Sequence, residues 1–416
     1  MIEFHAPTPA DKAWVDELLA RGNYRGCDYN FTNLYVWSRA YNQRIARVDD
    51  FLVTHVCGRL GCSYMYPAGS GDIAAVIRAL EADAAEKGEP LRLVCLTPRQ
   101  MAELEEFFPG RFAYTADRDG YDYLYEVERL AELGGKKLHA KRNHINRFMA
   151  EYPDFRYEQL TRERFGECMQ LEREWRRAHE GHTSELCAEQ RAMQRAFEHF
   201  EELEMIGGCI YVGDKLIAFT YGSAVNDHTF DTHVEKADTD YDGAFTIINK
   251  LFAQHLPARF TMINREEDLG IDGLRQSKLS YHPAVIQHKY AAIHLHPDEI
   301  ACKELWTAAF GDDEQFVDSF LMRYYSRRRM LTAECEGRTA AMLHMLPFES
   351  ELGRSTYIYG VATAPEFRRR GLAGKLIREA MRLIGEQGDE AAFLIPSEEW
   401  LHGFYAKYGF EGAVPV

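Results

Sequence analysis

Residues 357–373 read YIYGVATAPEFRRRGLA, and this stretch is the most informative part of the chain for its fold. The aromatic and β-branched residues from Tyr357 to Thr363 predict a short strand that ends before Pro365. Apolar residues then recur at helical spacing, which predicts a helix that begins near Gly371 and buries one stripe. That stripe consists of Leu372, Ala373, Leu376, Ile377, Ala380, Met381 and Ile384.

The loop between this strand and helix combines positive charge with small residues. Arg368, Arg369 and Arg370 precede Gly371, and Ala373 lies in the first helical turn. Unpaired backbone N–H groups and the positive end of the helix dipole favour an anion there. The small residues allow phosphates to approach the backbone. The loop therefore predicts a pyrophosphate cradle; the alternative is a surface helix with a basic first turn, in which the arginines oppose the dipole.

The same loop resembles motif A of the GNAT acetyltransferases, whose pattern is Arg/Gln-x-x-Gly-x-Gly/Ala. Here the pattern reads Arg368-x-x-Gly371-x-Ala373. The resemblance implies that this segment binds acetyl-CoA, with coenzyme A as the part that is held. The residues expected to bind it are Val361, Ala362, Thr363, Arg368, Arg369, Arg370, Gly371, Leu372 and Ala373.

A second segment, WLHGFYAKYGF from Trp400 to Phe410, resembles motif B of the same family. The resemblance implies that Tyr405 protonates the departing thiolate, and a phenol can donate without being ionised at rest. The alternative is a half-buried aromatic with a packing role. Glu349, on the preceding hairpin, is a candidate catalytic base, and a water-mediated route is the alternative to it.

The order of elements repeats three times along the chain. Each pass reads as a hairpin, a strand, a helix and a second strand, with the hairpins turning near Gly58, Gly213 and Gly337. This order predicts an α/β protein with a mixed sheet, built from three tandem GNAT-like units. We place the units at residues 1–130, 131–290 and 291–416.

Residues 1–290 also resemble a known bacterial family, DUF2156, which is a tandem of GNAT-like folds related to the C-terminal domain of phosphatidylglycerol lysyltransferases. Three strings carry the resemblance: FTNLYVW at 31–37, KLHAKRNH at 137–144 and NREEDLG at 264–270. It continues through GLRQSKLSYHP at 273–283 to Lys289 and Tyr290. Enzymes of the related type use the end of an aminoacyl-tRNA and not coenzyme A.

The first two copies lack the basic phosphate loop. In the middle copy the corresponding segment, from Asp238 to Ala244, is acidic and would repel a pyrophosphate. The N-terminal copy offers Pro67 to Gly71 without an arginine. Coenzyme A is therefore expected only in the C-terminal unit.

Other polar residues follow strand ends in the middle copy and could line a cleft there. They are Glu235, Lys236, Asn264, Arg265, Asp268, Arg275, Lys278 and Tyr281. The simpler interpretation is a set of solvated loop residues, in which Arg265 and Asp268 pair with each other.

A basic segment, from Lys136 to Arg147, stands out in an acidic chain. The net charge of −16 argues against nonspecific nucleic-acid binding by the whole surface. As a helix, the segment places Lys137, Lys141 and His144 on one face. It is either a solvated connecting helix or the binding site of a phosphate-bearing partner such as a tRNA end or an anionic lipid headgroup.

Composition excludes several other classes. No run approaches the ~20 apolar residues of a membrane span and the first residues do not read as a signal peptide, so we expect a cytoplasmic protein. The nine cysteines form no Cys-x-x-Cys pair, and Cys57, Cys95, Cys168 and Cys209 read as buried small hydrophobes. The sixteen histidines form no His-Glu-x-x-His pattern, so no metal site is expected.

After Phe410 only six residues remain, so the last strands of a GNAT domain are expected to be missing or replaced. The function that fits best is transfer of an acetyl group from acetyl-CoA to an unidentified amine on a small molecule or peptide. Two alternatives stay open: an aminoacyl-tRNA-dependent transferase acting in the middle copy, and a ligand-binding module without its own catalysis.

Overall fold

The computed structural model describes residues 2–58, 61–178 and 183–412. The chain forms two compact units, and each is assembled from more than one segment. Unit 1 comprises Met1–Leu80, Leu93–Met101 and Ala116–Ala291. Unit 2 comprises Glu81–Arg92, Ala102–Thr115 and Ala292–Val416.

Helices are distributed along the whole described chain. They are α1 (Lys12–Gly22), α2 (Phe31–Val36), α3 (Ile73–Glu86), α4 (Pro98–Phe107), α5 (Val127–Glu132), α6 (His139–Glu151), α7 (Phe165–Ala178), α8 (Thr183–Glu198), α9 (Ala244–His255), α10 (Asp272–Leu279), α11 (Pro297–Phe310), α12 (Glu314–Tyr324), α13 (Leu372–Gln387) and α14 (Trp400–Tyr405).

Strands alternate with these helices. They are β1 (Arg44–Val48), β2 (Phe51–Gly58), β3 (Gly61–Met65), β4 (Ala68–Gly69), β5 (Arg92–Leu96), β6 (Phe112–Ala116), β7 (Asp122–Glu126), β8 (Arg156–Gln159), β9 (Ile206–Val212), β10 (Lys215–Ala224), β11 (Thr229–Ala237), β12 (Met262–Asn264), β13 (Val285–Gln287), β14 (Tyr290–His294), β15 (Met330–Cys335), β16 (Arg338–Ser350), β17 (Gly353–Thr363) and β18 (Ala391–Phe393).

Unit 1 contains a seven-stranded sheet in the order β13-β7-β12-β11-β10-β9-β8. Strands β9, β10 and β11 run antiparallel, whereas β12 returns parallel to β11 after the crossover helix α9. Helix α9 buries Ile247, Ile248 and Phe252 in a core that includes Phe230 of β11. Strands β1, β2 and β3 of the same unit are antiparallel, and β3 pairs parallel with β5, which follows α3.

Unit 2 contains a four-stranded sheet in the order β15-β16-β17-β18. Strands β15, β16 and β17 are antiparallel, and β18 returns parallel to β17 after α13. The apolar stripe predicted for α13 is buried, since Leu376, Ile377, Ala380 and Ile384 pack with Leu343. The helix ends at Gly388, whose left-handed φ of 72° closes the last turn.

The predicted α/β class with mixed sheets is confirmed, and in three places antiparallel strands lead into a strand, a helix and a parallel strand. That these are three tandem copies of one unit stays a prediction. The predicted turn after Gly58 involves residues 59 and 60, which lie outside the described residues. No described strand follows Phe410, and residues 413–416 are also outside them.

Two further findings concern expectations from composition. The interpretation of Cys57 as a free buried thiol was wrong, because Cys57 forms a disulfide with Cys62. These residues face each other across β2 and β3, where the strand register brings their β-carbons together. Within the described residues, no helix is both long and apolar enough to cross a membrane.

Candidate active site

Strand β17 carries a bulge at Gly360. Tyr359 lies opposite His344 and Ala362 lies opposite Met342, so two residues of β17 face one residue of β16. Gly360 has a φ of +62°, and a β-carbon there would lie 3.2 Å from the Trp306 ring. Glycine therefore meets both requirements of the bulge, a left-handed backbone and a close approach.

The two parallel strands of unit 2, β17 and β18, stop pairing after Tyr357. Strand β18 pairs with β17 only from Ser355 to Tyr357, whereas β17 continues to Thr363. Among the described strands, none pairs with that edge of β17 beyond Tyr357. The backbone N–H and C=O groups of β17 along this edge therefore have no strand partner there. Val361 and Thr363 lie along this edge, at the end of the strand that leads into the basic loop.

The basic loop ends in an open helix N-terminus. Gly371 precedes α13 with a left-handed φ of 78°, and no side chain caps the helix there. The first N–H groups of α13, from Leu372 to Gly374, have no carbonyl partner within the helix. A β-carbon at Gly371 would meet nothing within 4 Å, so space for a ligand lies over the helix end.

The three arginines of this loop have different surroundings. Arg370 donates to Glu336 at 2.7 Å and lies 5.1 Å from the centre of the Phe367 ring. Arg368 donates from Nε to the carbonyl of Thr363 at 3.3 Å. Arg369 is exposed and has a φ of 64°, an unfavourable conformation for a residue with a side chain. The loop thus presents cationic groups in a strained backbone next to a free helix end.

The predicted acid, Tyr405, is buried in the core beneath α13. Its ring centre lies 5.1 Å from that of Phe404 and 6.1 Å from that of Phe410, and burial raises the pKa of its hydroxyl. A second tyrosine, Tyr408, was not singled out from the sequence. Its hydroxyl contacts the backbone of Gly374, in the first turn of α13. The motif B helix therefore touches the phosphate-loop helix through Tyr408.

Glu349, the predicted base, is exposed and lies opposite Arg354, next to the hairpin turn between β16 and β17. Val361 lies seven positions after Arg354 in β17, which corresponds to about 23 Å at ~3.3 Å per residue. The structure therefore brings together the nine residues predicted to bind coenzyme A but does not bring Glu349 to them.

The corresponding helix end in the middle copy is covered. Helix α9 also begins after a left-handed glycine, Gly243. A β-carbon there would lie 3.0 Å from the carbonyl oxygen of His144 and 3.1 Å from Phe148, both in α6. Because α6 fills the space over this helix end, a pyrophosphate has no room to bind as it could at Gly371.

A different polar group lies at the end of β11. Arg265, whose side chain is 10% exposed, donates to Glu235 at 2.9 Å, so it pairs with Glu235 and the suggested pair with Asp268 was wrong. The ammonium of Lys141 lies 4.0 Å from the centre of the Tyr281 ring, and the guanidinium of Arg265 lies 5.0 Å from it. Burial and the charge of Arg265 lower the pKa of Lys141. Arg265 Nη1 is buried without a hydrogen-bond partner.

The basic segment is thus not uniformly solvated. Lys136 and Lys137 are exposed, but Lys141 is half-buried against Tyr281. Arg142 donates to the carbonyls of Leu133 and Gly135. Arg147, at the end of the segment, pairs with Asp242 at 2.8 Å. Lys141 is therefore the cation of this segment that lies, together with Arg265, around the Tyr281 ring.

The loop after β12 is fixed by Asp268 and Lys278. Asp268 is fully buried and accepts hydrogen bonds from Arg275, Arg118 and Tyr123. Although burial opposes it, these bonds hold the pKa of Asp268 well below its ordinary value. The ammonium of Lys278 donates to two backbone carbonyls of the same loop. Both predicted cleft residues therefore shape the loop and are not free to act on a ligand.

A buried ionic centre in unit 1 was not predicted from the sequence. The ammonium of Lys289 lies 2.5 Å from Asp28, 2.7 Å from Asp122 and 2.9 Å from Glu267. Burial raises the pKa of Asp122 to about 6, with Lys289 opposing that rise. The signal available in the sequence is Asp122 itself, an acidic residue at the start of the aromatic strand DYLYE.

Comparison with known proteins is consistent with this architecture. Residues 19–293 match the family model described as phosphatidylglycerol lysyltransferase, C-terminal. Residues 296–413 match the model of an acetyltransferase (GNAT) domain. Both resemblances drawn from the sequence motifs are confirmed.

Two solved structures are similar over about 70% of this chain. A conserved protein of unknown function from Bacteroides thetaiotaomicron is 43% identical and has a TM-score of 0.68, over 71% of this chain and 100% of that one. The C-terminal domain (DUF2156) of a putative lysylphosphatidylglycerol synthetase from Agrobacterium fabrum is 14% identical with a TM-score of 0.50, over 70% and 95%. At that identity the likeness shows the fold alone.

A curated relative, an uncharacterized protein from Mycoplasmoides gallisepticum, is 28% identical over 178 residues. The match covers 41% of this chain and 54% of that protein, so it spans about half of the relative's length.

Proposed function

Because the chain belongs to the phosphatidylglycerol lysyltransferase C-terminal family over residues 19–293 and carries a GNAT domain over residues 296–413, we propose that unit 2 is an N-acyltransferase site that uses acetyl-CoA. Membership in these families supports an acyltransferase. The observation that carries the finer proposal is the open end of α13 at Gly371, beside the gap between β17 and β18.

The residues at this end fit coenzyme A by charge and by space. The free N–H groups from Leu372 to Gly374 would bind a pyrophosphate, and Arg368 and Arg369 would add charge. The absence of any atom within 4 Å of a β-carbon at Gly371 leaves room for it. The covered helix end at Gly243 supports a single such site in the chain.

Bound acetyl-CoA would supply an acetyl thioester next to the open edge of β17. The N–H of Val361 would donate to the thioester oxygen, where negative charge develops. An amine nitrogen would form the new bond to the acetyl carbon as the C–S bond breaks, and Tyr405 would pass its hydroxyl proton to the departing sulfur. Glu349, in β16 opposite Arg354, lies too far from Val361 for the role of base, so the amine would lose its proton through water.

Calorimetric titration of the full chain with acetyl-CoA tests this proposal. We expect one site, and at a hundred times the Kd the folded protein should be stabilised by about 2.7 kcal/mol. Adenosine 3′,5′-bisphosphate, which lacks the pyrophosphate, should bind much more weakly. No heat and no thermal stabilisation at millimolar acetyl-CoA would contradict the proposal. Thiol release in the presence of an amine library would then identify the acceptor.

We also propose a second activity, transfer of an aminoacyl group from tRNA, in unit 1. The observation that favours it is the buried guanidinium of Arg265, which has an unpartnered Nη1 and lies with Lys141 around the Tyr281 ring. Two cations close together, one of them incompletely bonded, suit a phosphate group of an RNA end or a lipid headgroup.

This second proposal can be tested with charged tRNA. Lys141→Gln should weaken binding of charged tRNA about tenfold or more, whereas Lys136→Gln, which changes an exposed lysine of the same segment, should have little effect. Radiolabel from the aminoacyl group should appear on an amine or lipid acceptor. Equal binding by both variants would argue against Lys141 and Arg265 as the RNA site.

A further inference from the structure

Three side chains in unit 1 bring ligand-type atoms to one buried point. Asp231 and His233 lie two residues apart on β11, where the pairing with β10 shifts register, and Glu266 follows β12. His233 Nδ1 lies 3.1 Å from Glu266 Oε1 and 3.6 Å from Asp231 Oδ2. The three atoms lie within 4.8 Å of one another.

The hydrogen bonds on the other side of the imidazole suit a proton on Nε2. His233 Nε2 lies 2.8 Å from the hydroxyl oxygen of Ser223. That hydroxyl lies 3.1 Å from Asn30 Oδ1, an acceptor, to which it can donate. In the tautomer whose Nε2–H donates to Ser223, the lone pair of Nδ1 faces Glu266 and Asp231.

Charge balance points in the same direction. Asp231 is fully buried, and its second oxygen, Oδ1, has no hydrogen-bond partner among the described residues. The nearby ammonium, that of Lys289, is already shared by Asp28, Asp122 and Glu267. Uncompensated carboxylates are costly to bury unless a proton or a metal ion neutralises them.

We propose that Asp231, His233 and Glu266 bind a divalent metal ion of the Zn²⁺ class, through Oδ2, Nδ1 and Oε1. Imidazole and carboxylate ligands bind zinc at about 2.0–2.2 Å, which places tetrahedral ligands ~3.3–3.6 Å apart. The measured separations of 3.1 and 3.6 Å are close to that range. Ser223 acts as a positioning residue that holds the imidazole in the required tautomer. The fourth position is left for water or substrate.

The site was not expected from the sequence, because Glu266 lies more than thirty residues from Asp231 and His233 and the three form no local motif. Its placement gives it a structural consequence. The amide of Asn33, in α2, donates to Glu266 at 2.8 Å and to Asp231 at 3.2 Å. A bound ion would therefore hold β11 and the loop after β12 together, next to Asn33 of α2.

The test uses the untagged full chain, stripped with chelator and titrated with Zn²⁺ by calorimetry and with Co²⁺ by visible absorption. His233→Ala and Glu266→Gln should each remove one bound ion and the associated Co²⁺ absorption. His228→Ala is the matched control, because His228 is exposed just before the same strand and its loss should change nothing. Ser223→Ala should weaken binding about 10- to 100-fold.

Other groupings of described residues, such as Glu81 with His294 and His296, could also bind metal, so the comparison rests on the difference between variants. Circular dichroism and melting of the metal-free variants will show whether they fold. Equal stoichiometry in the wild-type protein, His233→Ala and Glu266→Gln would overturn the proposal. The absence of Zn²⁺ binding by the wild-type protein would also overturn it.

Discussion

The hydroxyl of Tyr408 lies against the backbone of Gly374, 1.9 Å from the position that a β-carbon at residue 374 would occupy. This contact joins the motif B segment to the first turn of α13, three residues after Gly371. The guanidinium of Arg378, one turn further along α13, lies 5.6 Å from the centre of the Tyr408 ring. The two segments that resemble GNAT motifs thus meet side by side in the folded unit.

Gly374→Ala should therefore displace Tyr408. We expect a loss of about 1–3 kcal/mol, the usual cost of overpacking, although alanine favours helices. Gly385→Ala is the matched control, because Gly385 lies on the same helix with nothing within 4 Å of its β-carbon position. That change should stabilise the helix by up to about 1 kcal/mol. Hydrogen exchange of peptides from α13 measures both effects.

Tyr408→Phe provides a further control for this contact. Without the hydroxyl, the Gly374→Ala variant should recover part of its stability, but not all, because the Tyr408 ring carbon Cζ also lies 2.8 Å from the same position. A double-mutant cycle measures this coupling. Strict additivity would show that the hydroxyl does not restrict residue 374.

Gly371→Glu should abolish most coenzyme A binding. A carboxylate at the open helix end would repel the pyrophosphate, and we expect affinity to fall by about a hundredfold or more, ~2.7 kcal/mol. Gly371→Ala is the matched control, since both variants share the backbone strain at a φ of 78°. Titration with acetyl-CoA measures the difference. If the two variants bind equally well, the phosphates lie elsewhere.

Tyr405→Phe should lower kcat by roughly ten- to a thousandfold if its hydroxyl protonates the departing thiolate. The KM for acetyl-CoA should change little, because the proton is needed as the thiolate forms. Glu349→Gln should leave kcat within about twofold, since Glu349 lies at the hairpin end of β16, opposite Arg354 and far from Val361. An unchanged kcat in Tyr405→Phe, measured by thiol release, would leave Tyr405 with a packing role.

Asp268→Asn should destabilise unit 1 by about 2–3 kcal/mol, because the charged acceptor of hydrogen bonds from Arg118, Tyr123 and Arg275 is replaced by an amide. Asp119→Asn is the control: Asp119 also bonds to Arg275, at 2.8 Å, but its side chain is 49% exposed. Its change should cost less than about 1 kcal/mol. Urea unfolding of the full chain measures both variants, and equal costs would contradict the central role of Asp268.

Unit 2 should lose stability in mild acid because of His344. Burial lowers the pKa of this histidine to about 4, among the rings of Trp306 and Phe320. Below about pH 6.5 the unfolded chain takes up a proton that the folded chain does not, so stability present at neutral pH falls as the pH is lowered. Between pH 7 and pH 5 we expect a loss of about 2 kcal/mol.

Hydrogen exchange of β16 peptides at the two pH values, corrected for intrinsic rates, measures this loss. His344→Leu should flatten the pH dependence, whatever its effect on stability at neutral pH. His402→Leu changes an exposed histidine of α14 and should keep the wild-type slope. A slope unchanged by His344→Leu would contradict the assignment to His344.

Local patterns were sufficient to predict much of unit 2. The strand before Pro365 and the apolar stripe of α13 follow from sequence periodicity, and both are present. Gly360 was overlooked, although a glycine inside a strand of β-branched and aromatic residues is a known sign of a bulge. The bulge shifts the register of β17 against β16 beside the edge of β17 that β18 leaves unpaired, so the missed residue lies next to Val361 in the candidate site.

Long-range pairs could not be read from local patterns. Arg265 and Asp268 are three residues apart and suggested a pair, but burial places Arg265 with Glu235, thirty residues away. Cys57 and Cys62 are close in sequence, yet their disulfide depends on the register of two strands. Which partner each of these side chains takes depends on all the residues that the fold brings near it. Those residues cannot be identified from local sequence patterns.

The segmented make-up of unit 2 has a consequence for how the chain is synthesised. Glu81–Arg92 and Ala102–Thr115 are made well before Ala292, where the remainder of their unit begins. At ~5–20 residues per second, roughly 10–35 seconds pass between the synthesis of these two segments and the synthesis of Ala292. During that interval their apolar residues are a target for chaperones. A truncation that starts at residue 291 would remove both segments and should not be expected to fold as the complete unit.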